Sequence, residues 1–177
     1  DSLEERTDQL AVFNHGGVIQ NFEYIGIIGG TAFSDTLVQE GDIRNTWEAG
    51  GGDDTLAPGL GFDVIDGGET PLDPTLLTDS DFLFVDYSVD ENGEAVTTQM
   101  IGDRIFYDRD FVFDSSTQRG DGLSIANIEY LHIIATAQDD DLFGIDDTEH
   151  MFEGDTLEGR DGDDTLTTFN NNDLLLG

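Results

Sequence analysis

The stretch AGGGDDTLAPGLGFDVID, residues 49 to 66, consists of two nine-residue units of the same design. Each unit carries a glycine, an aspartate two residues later and an aliphatic residue two residues after that: Gly52, Asp54 and Leu56 in the first, Gly61, Asp63 and Ile65 in the second. Trp47 lies a further nine residues before Leu56. An apolar residue at a fixed period, behind a glycine-rich acidic segment, indicates a repeating strand and turn.

The same offset between an acidic and an aliphatic residue recurs outside this stretch. The further pairs are Asp35 with Leu37, Asp140 with Leu142, Asp155 with Leu157, Asp164 with Leu166 (preceded by Gly162), and Asp173 with Leu175. From Leu157 through Leu166 to Leu175 the step is again nine residues. A strand this short cannot bury its apolar side chain alone, so the units are expected to stack on one another.

The unit also indicates a chemistry. If consecutive strands go to opposite faces, two units complete one turn of a solenoid, with the apolar residues inside and the glycines reversing the chain at positive φ. Glycine turns expose backbone carbonyls beside the aspartate, and carboxylate and carbonyl oxygens are the ligands that Ca²⁺ takes, about six to eight at a time. The sequence therefore predicts Ca²⁺ between stacked turns, where two well-formed turns lie on the same side.

Composition supports a cationic partner. Forty acidic residues oppose six basic ones, for a formal net charge of −34, and there is no cysteine to form a disulfide. Such a charge repels nucleic acid and anionic membranes, and without neutralisation it approaches the composition of disordered chains. No apolar run approaches the roughly 18 residues of a spanning helix, so no membrane insertion is expected.

These units resemble the RTX (repeats-in-toxin) family of calcium-binding proteins, whose unit is G-G-x-G-x-D-x-U-x. The resemblance is closest at residues 49–57 and 58–66, fair at 159–167, and degenerate at 30–37, 135–142 and 170–177. It implies an all-β protein with parallel β-roll segments, Ca²⁺ in the turns, and secretion from a bacterium to the cell surface. By transfer it implies carboxylate ligands at Asp54, Asp63, Asp164 and Asp173, carbonyl ligands at Gly52, Gly61 and Gly162, and Asp35, Asp140 and Asp155 at the same position of other units.

A longer repeat relates two parts of the chain. Residues 16–37 match 122–142, with Asn21, Glu23 and Tyr24 at an offset of 106 from Asn127, Glu129 and Tyr130, and Asp35 at an offset of 105 from Asp140. The pattern is cut at both ends, which predicts a piece of a longer repetitive protein. Residues 1–15 would complete a preceding unit, and 16–69 and 122–177 would be two RTX-like tracts.

Residues 70–121 do not follow the repeat pattern and are expected to form an antiparallel insertion. Alternating residues flank Asn92 and Gly93, a pair that favours a type I′ hairpin turn. Pro71 and Pro74 mark the boundary. No segment predicts a helix. We read Trp47 and the phenylalanines at 82, 84, 111 and 113 as core residues, with an aromatic face for sugar as the alternative.

Enzymatic signals are weak, and no enzyme activity is expected. The three histidines fit no H-E-x-x-H spacing, and GLSIA at 122–126 lacks the final glycine of a G-x-S-x-G elbow. Three functions remain open. They are a secreted structural repeat protein of a surface layer, filament or adhesin, an accessory module of a secreted enzyme or toxin, and an acidic carbohydrate-binding module. Expected partners are calcium ions, neighbouring copies or further repeats of the same chain, and cell-surface polysaccharide.

Overall fold

The computed structural model describes residues 9–12, 17–19, 26–39, 41, 44–68, 79–89, 94–101, 104–108, 122–145, 154–169 and 172–177. Within these residues the regular structure is β, with no α-helix and one 3₁₀ turn at Tyr87–Val89. The strands are β1 (Gln9–Val12), β2 (Gly17–Ile19), β3 (Gly26–Gly29), β4 (Thr36–Gln39), β5 (Thr46–Gly50), β6 (Thr55–Ala57), β7 (Phe62–Gly68), β8 (Phe82–Asp86), β9 (Thr97–Ile101), β10 (Arg104–Asp108), β11 (Gly122–Ala126), β12 (Tyr130–Ile134), β13 (Asp141–Phe143), β14 (Thr156–Glu158), β15 (Thr165–Thr167) and β16 (Leu174–Leu176).

These described strands form two sheets. Sheet A has nine strands in the order β1-β3-β5-β7-β11-β10-β9-β13-β15, and sheet B has seven in the order β16-β14-β12-β8-β6-β4-β2. From β1 to β9, and again from β11 to β16, each strand lies in the sheet opposite the one before it. The prediction that consecutive nine-residue units go to opposite faces is therefore confirmed for the described strands.

The inward residues form ladders across the parallel strands. Trp47 of β5 is in register with Ile28 on one side and Ile65 on the other, and Leu56 of β6 with Leu37 and Leu83. All of these side chains are buried, and residues of both sheets belong to one core cluster. The nine-residue period thus records which side chain of each short strand points inward.

Among the described strands, antiparallel pairing occurs in the middle of sheet A. Strand β10 runs antiparallel to both β9 and β11, whereas β8 pairs in parallel with β6 and β12 in sheet B. The hairpin predicted at Asn92–Gly93 is therefore wrong, because the strands before and after that pair lie in different sheets. Asn92 and Gly93 themselves, like Pro71 and Pro74, lie outside the described residues.

The aromatic residues of β8 correct a second expectation. Phe82 and Phe84 are half-buried and alternate with the buried Leu83 and Val85, so they lie on the outer face of sheet B and not in the core. In a strand, successive side chains point to opposite faces, and Leu83 already occupies the inward ladder. Trp47 is a core residue, as predicted. The phenylalanines at 111 and 113 lie outside the described residues.

The two copies of the long repeat place their matching strands in opposite sheets. Strand β4 follows Asp35 in sheet B, whereas β13 follows the matching Asp140 in sheet A. Along the described strands, the chain crosses between the sheets seven times from β4 to β13, and an odd number of crossings leaves these two strands in opposite sheets. The repeat therefore preserves the local turn, and the number of crossings between its two copies decides the side on which that turn appears.

Candidate cation-binding turns

The chain crosses between the two sheets at two edges. At the A-to-B edge, where it passes from sheet A to sheet B, an acidic residue stands immediately before each strand of sheet B from β4 to β16: Asp35, Asp54, Asp81, Glu129, Asp155 and Asp173. At the B-to-A edge, the corresponding polar residues of sheet A are Asn45, Asp63, Asp140 and Asp164. All pairing within sheet B is parallel, so the acidic residues of the A-to-B edge lie at the same end of their strands.

Hydrogen bonds link the first residues of the A-to-B edge into a file. The amide of Asp35 donates to Asp54 Oδ1 at 2.7 Å, and the amide of Asp54 donates to Asp81 Oδ1 at 2.8 Å. The amide of Asp81 in turn donates to Glu129 Oε2 at 2.7 Å. Each carboxylate therefore caps the strand of its neighbour, and the acidic side chains are held beside one another instead of extending into solvent.

At β12 the file moves two residues along the strand, from Glu129 to Leu131, before it continues. The amide of Leu131, two residues beyond Glu129, donates to Asp155 Oδ1 at 3.0 Å. The other oxygen of Asp155 accepts the amide of Ile145 at 2.6 Å, and the amide of Asp155 donates to Asp173 Oδ1 at 2.9 Å. Asp155 and Asp173 are thus neighbours on the same edge.

The B-to-A edge has two shorter files. In the first, the amide of Gly26 donates to Asn45 Oδ1 at 3.1 Å and the amide of Asn45 donates to Asp63 Oδ1 at 2.9 Å. Asp63 Oδ1 also accepts the indole Nε1–H of Trp47 at 3.1 Å. The next residue in register is the apolar Leu123 of β11, which ends this file.

The second file of the B-to-A edge lies beyond the antiparallel strands. The amide of Val96 donates to Asp140 Oδ1, and the amide of Asp140 donates to Asp164 Oδ1 at 3.0 Å. Asp140 also accepts the amide and the hydroxyl of Thr136 within its own turn. Thr31 donates to Asp35 in the same way, with its amide at 2.6 Å and its hydroxyl at 2.8 Å. The long repeat therefore encodes this turn, which appears on opposite edges.

Burial changes the acidity of these groups. Loss of solvent, together with the repulsion of nearby carboxylates and against the bound amides that lower it, raises the pKa of Asp54 to about 7 and that of Asp81 to about 8. Burial likewise raises the pKa of Asp140. One oxygen each of Asp35, Asp54 and Asp81 is buried without a hydrogen-bond partner. These carboxyl groups are held where an anion is costly unless a cation or a proton neutralises it.

The predicted turn glycines have the backbone conformation that the turn requires. Gly52, Gly61 and Gly162 have φ of 96°, 116° and 131°, a region that other residues rarely adopt. A Cβ on Gly52 would lie 2.7 Å from the amide nitrogen of Ser34 in the neighbouring turn. The carbonyl oxygen of Gly61 accepts the amide of Gly122 at 3.0 Å, so one of its acceptor positions serves the sheet.

The structure pairs the predicted aspartates differently from the sequence order. The two best-matching units, 49–57 and 58–66, place Asp54 on the A-to-B edge and Asp63 on the B-to-A edge, so these two residues do not share a turn pair. The pairs that are adjacent are Asp35 with Asp54, Asp54 with Asp81, Asp140 with Asp164, and Asp155 with Asp173.

Sequence reasoning missed Asp81 and Glu129. Both stand two residues before an inward aliphatic residue, Leu83 and Leu131, at the offset of the repeat unit. That offset could have identified them. They were hidden because no glycine-rich turn precedes them at nine-residue spacing.

Within the described residues, no group of three or more acidic or histidine side chains is placed to hold a metal ion. An ion between these turns would therefore need backbone carbonyls and water as well as the paired carboxylates.

No family model matches the chain, and no curated protein or solved structure matches it either. In the part of the chain that the structure describes, no helix is long and apolar enough to cross a membrane.

Proposed function

We propose that this chain is a calcium-binding repeat protein of RTX type, a parallel β-roll whose turns are joined by Ca²⁺. Tracts 16–69 and 122–177 would carry the repeat turns, and the segment 70–121 would interrupt them. The protein is proposed to be non-enzymatic, bacterial and extracellular, with a structural role in a surface layer, filament or adhesin. Its partners would be neighbouring copies or further repeats of the same chain.

One observation carries the proposal. Asp35 and Asp54 are buried on adjacent turns, are linked by a 2.7 Å hydrogen bond, and each keeps one buried oxygen without a partner. Two buried carboxylates side by side repel each other, and a shared divalent cation removes that repulsion while using the free oxygens. We propose Ca²⁺ as this cation because it takes carboxylate and backbone carbonyl oxygens together.

The remaining adjacent pairs extend the proposal along the molecule. Asp140 with Asp164 and Asp155 with Asp173 have the same amide-to-carboxylate link as Asp35 with Asp54. Asp63 has the neutral Asn45 as its neighbour in place of a second carboxylate. We therefore assign a weaker ion site, or none, to Asp63, and carbonyl ligation by Gly52 and Gly162 remains part of the proposal.

Native mass spectrometry of the full chain titrated with CaCl₂ tests this function. The parent should bind several ions, and Asp164→Asn and Asp173→Asn should each bind one fewer, because each removes one carboxylate of a pair. Glu48→Gln, which neutralises an exposed carboxylate in the middle of β5, is the matched control and should bind as many ions as the parent. A parent that binds no calcium at millimolar concentration would rule the function out.

A second candidate, glycan binding, is favoured by the outer face of sheet B. Phe82 stacks on Tyr130 with ring centroids 4.9 Å apart, and Phe84 meets His132 edge-on at 5.3 Å. His132 Nε2 also contacts Glu158 Oε1 at 2.7 Å, so the aromatic cluster is bordered by polar groups. Binding to cell-surface polysaccharide that is lost in Phe84→Ala but retained in Asp54→Asn would support this candidate.

A further inference from the structure

The seam between β8 and β12 brings together residues that none of the nine-residue units contains. Asp81 stands before β8 and Glu129 before β12, 48 residues later, and these strands are paired in parallel. The amide of Asp81 donates to Glu129 Oε2 at 2.7 Å, and the amides of Glu129 and Tyr130 donate back to the carbonyl of Asp81 at 3.2 and 3.3 Å. The two strand starts are therefore held to each other in both directions.

A third oxygen faces this pair. The position that a Cβ on Gly67 would occupy is 1.8 Å from the carbonyl oxygen of Asn127 and 2.3 Å from Asp81 Oδ2, so the two oxygens are at most 4.1 Å apart. Two oxygens that bind one Ca²⁺ at about 2.3–2.6 Å each lie within roughly 5 Å of one another. The spacing therefore suits a shared ion.

The turn that presents Asn127 is fixed in place. Asn127 has φ of 52°, a left-handed conformation, and its Nδ2 donates to Asp66 Oδ1 at 2.8 Å. A glycine at 67 is needed because any side chain there would overlap both oxygens. The backbone of this turn thus positions the Asn127 carbonyl, and the buried side chain of Asp81 brings its carboxylate to it.

The charge balance of the seam calls for a cation. Asp81 is 1% exposed and its Oδ2 has no hydrogen-bond partner. The charged groups that act on it are Glu129, Asp54 and Asp79, all of them carboxylates. A buried anion surrounded by anions persists only if a cation or a proton neutralises it.

We propose that Asp81, Glu129 and the carbonyl oxygen of Asn127 hold a calcium ion at the seam between β8 and β12. This site goes beyond the proposed function, because it lies outside the nine-residue units and joins the strand that follows the long connection 69–81 to the second tract. The competing state is a protonated Asp81 that donates its Oδ2–H to the Asn127 carbonyl and needs no ion.

Native mass spectrometry of the calcium-saturated full chain separates the two states. Asp81→Asn replaces the carboxylate by an amide that can donate to the Asn127 carbonyl as a protonated acid would. The seam site predicts exactly one fewer bound ion in this variant. Glu129→Gln keeps an oxygen to accept the amide of Asp81 while removing the charge, and it too should bind one ion fewer. Asp86→Asn, at the other end of β8, is the control and should keep the parental count.

The failure of this site is distinguishable from failure of the repeat sites. If Asp81→Asn and Glu129→Gln keep the parental ion count while Asp164→Asn loses an ion, the seam site is overturned and the repeat sites stand. If Asp81→Asn does not fold, the count of Glu129→Gln decides. A parent that binds no calcium overturns both proposals.

Discussion

The two edges of the molecule use the same position of the repeat unit differently. On the A-to-B edge, Asp35, Asp54 and Asp81 follow one another, and the amide of each of the first two donates to the carboxylate of the next. On the B-to-A edge, Asp63 lies beside the neutral Asn45 and accepts the indole N–H of Trp47 as well as a backbone amide. The sequence motif is the same, but the file that contains Asp63 does not stack one carboxylate on another, and on that edge such stacking is found at Asp140 and Asp164 in the second file.

This difference teaches that a turn carboxylate acquires its chemistry from the turn stacked on it. Asp54 and Asp63 belong to equally good units nine residues apart, yet the neighbour of Asp54 is acidic and the neighbour of Asp63 is an amide. Asp63 Oδ1 accepts two N–H groups and its neighbour in the file carries no charge, whereas Asp54 lies beside the carboxylate of Asp35, which repels it. We therefore expect the A-to-B edge to depend on calcium more than the first file of the B-to-A edge.

Removal of calcium should have the largest effect. If free Ca²⁺ exceeds the dissociation constant about tenfold, each ion adds roughly 1.4 kcal/mol, so about four ions would add roughly 6 kcal/mol to the free energy of unfolding. That is a large part of the about 5–15 kcal/mol by which a domain is stable. Circular dichroism in EDTA should therefore show loss of β structure, and hydrogen exchange should be fastest at the amides of Asp35 and Asp54.

The pattern of hydrogen exchange tests which of the two edges depends more on calcium. Faster exchange at the amides of Asn45 and Val64 than at those of Asp35 and Asp54 would show that the B-to-A edge depends more on calcium. A circular dichroism spectrum unchanged by EDTA would contradict the dependence of either edge on calcium.

Acid should substitute for calcium on the A-to-B edge. The pKa values of Asp54 and Asp81 are raised from 3.8 to about 7 and about 8, so the folded state binds protons that the unfolded state has already released. The calcium-free protein should be most stable below about pH 4–5 and lose stability as pH rises towards 8.

Urea denaturation of calcium-free protein between pH 5 and pH 8 measures this dependence. The slope should be shallower in Asp54→Asn, which has no proton to lose at that position. With saturating calcium the slope should flatten or reverse, because protons compete with the ion for the same oxygens. If the stability of the calcium-free protein rises with pH instead, Asp54 and Asp81 are not buried in their protonated form.

Two glycines with similar backbone conformations provide a steric comparison of the edges. Gly50, at the A-to-B edge, has φ of 115°, and a Cβ there would lie 1.8 Å from the carbonyl oxygen of Thr31. Gly41, at the B-to-A edge, has φ of 99° with no atom within 4 Å of its Cβ position. Gly50→Ala should cost about 3 kcal/mol or more, and Gly41→Ala about 1 kcal/mol from backbone strain alone.

Thermal unfolding in saturating calcium measures both glycine variants. At about 2–4 °C of melting temperature per kcal/mol for a chain of this size, the two should be separated clearly. Equal losses would mean that the turns at the two edges are packed equally closely.

The charge of one carboxylate can be removed on each edge. Asp54→Asn should stabilise the calcium-free protein at pH 8 by about 2 kcal/mol, because it relieves part of the cost that raises the pKa of Asp54. Asp63→Asn keeps an oxygen for the amide of Asn45 and for Trp47 Nε1, and should change this stability by less than about 1 kcal/mol. Chemical denaturation without calcium tests both variants. A larger gain in stability from Asp63→Asn would show that the charge of Asp63, and not that of Asp54, is the more costly one.

The sequence was sufficient to predict the inward ladder of the fold. A strand of three residues has one inward position, so the nine-residue step through Trp47, Leu56 and Ile65 states directly which side chains are buried. The glycine offset likewise predicted positive φ at Gly52, Gly61 and Gly162. Both properties are local, since they depend only on residues within one unit.

The sequence was not sufficient to predict which turns are neighbours. Asn92–Gly93 favours a hairpin locally, but β8, which is apolar on both faces, pairs with β6 and β12 at the centre of a parallel sheet. Asp81 and Glu129 are adjacent through the register of strands whose starts are 48 residues apart. Such contacts between distant segments have no signature in a single unit, so the pairing of Asp81 with Glu129 could not be assigned from the motif.

The smallest expected effect compares the two copies of the long repeat. Thr31 on the A-to-B edge and Thr136 on the B-to-A edge both donate a hydroxyl to the aspartate four residues later, at 2.8 and 3.0 Å. Thr136 is 2% exposed, whereas Thr31 lies in a more open turn. Replacing a buried hydroxyl bound to a carboxylate should cost about 1–2 kcal/mol, so Thr136→Val should lose more stability than Thr31→Val. Thermal unfolding of the two variants in saturating calcium tests this order, and a larger loss in Thr31→Val would show that the free oxygen of Asp35 makes its turn depend more on the threonine than burial does.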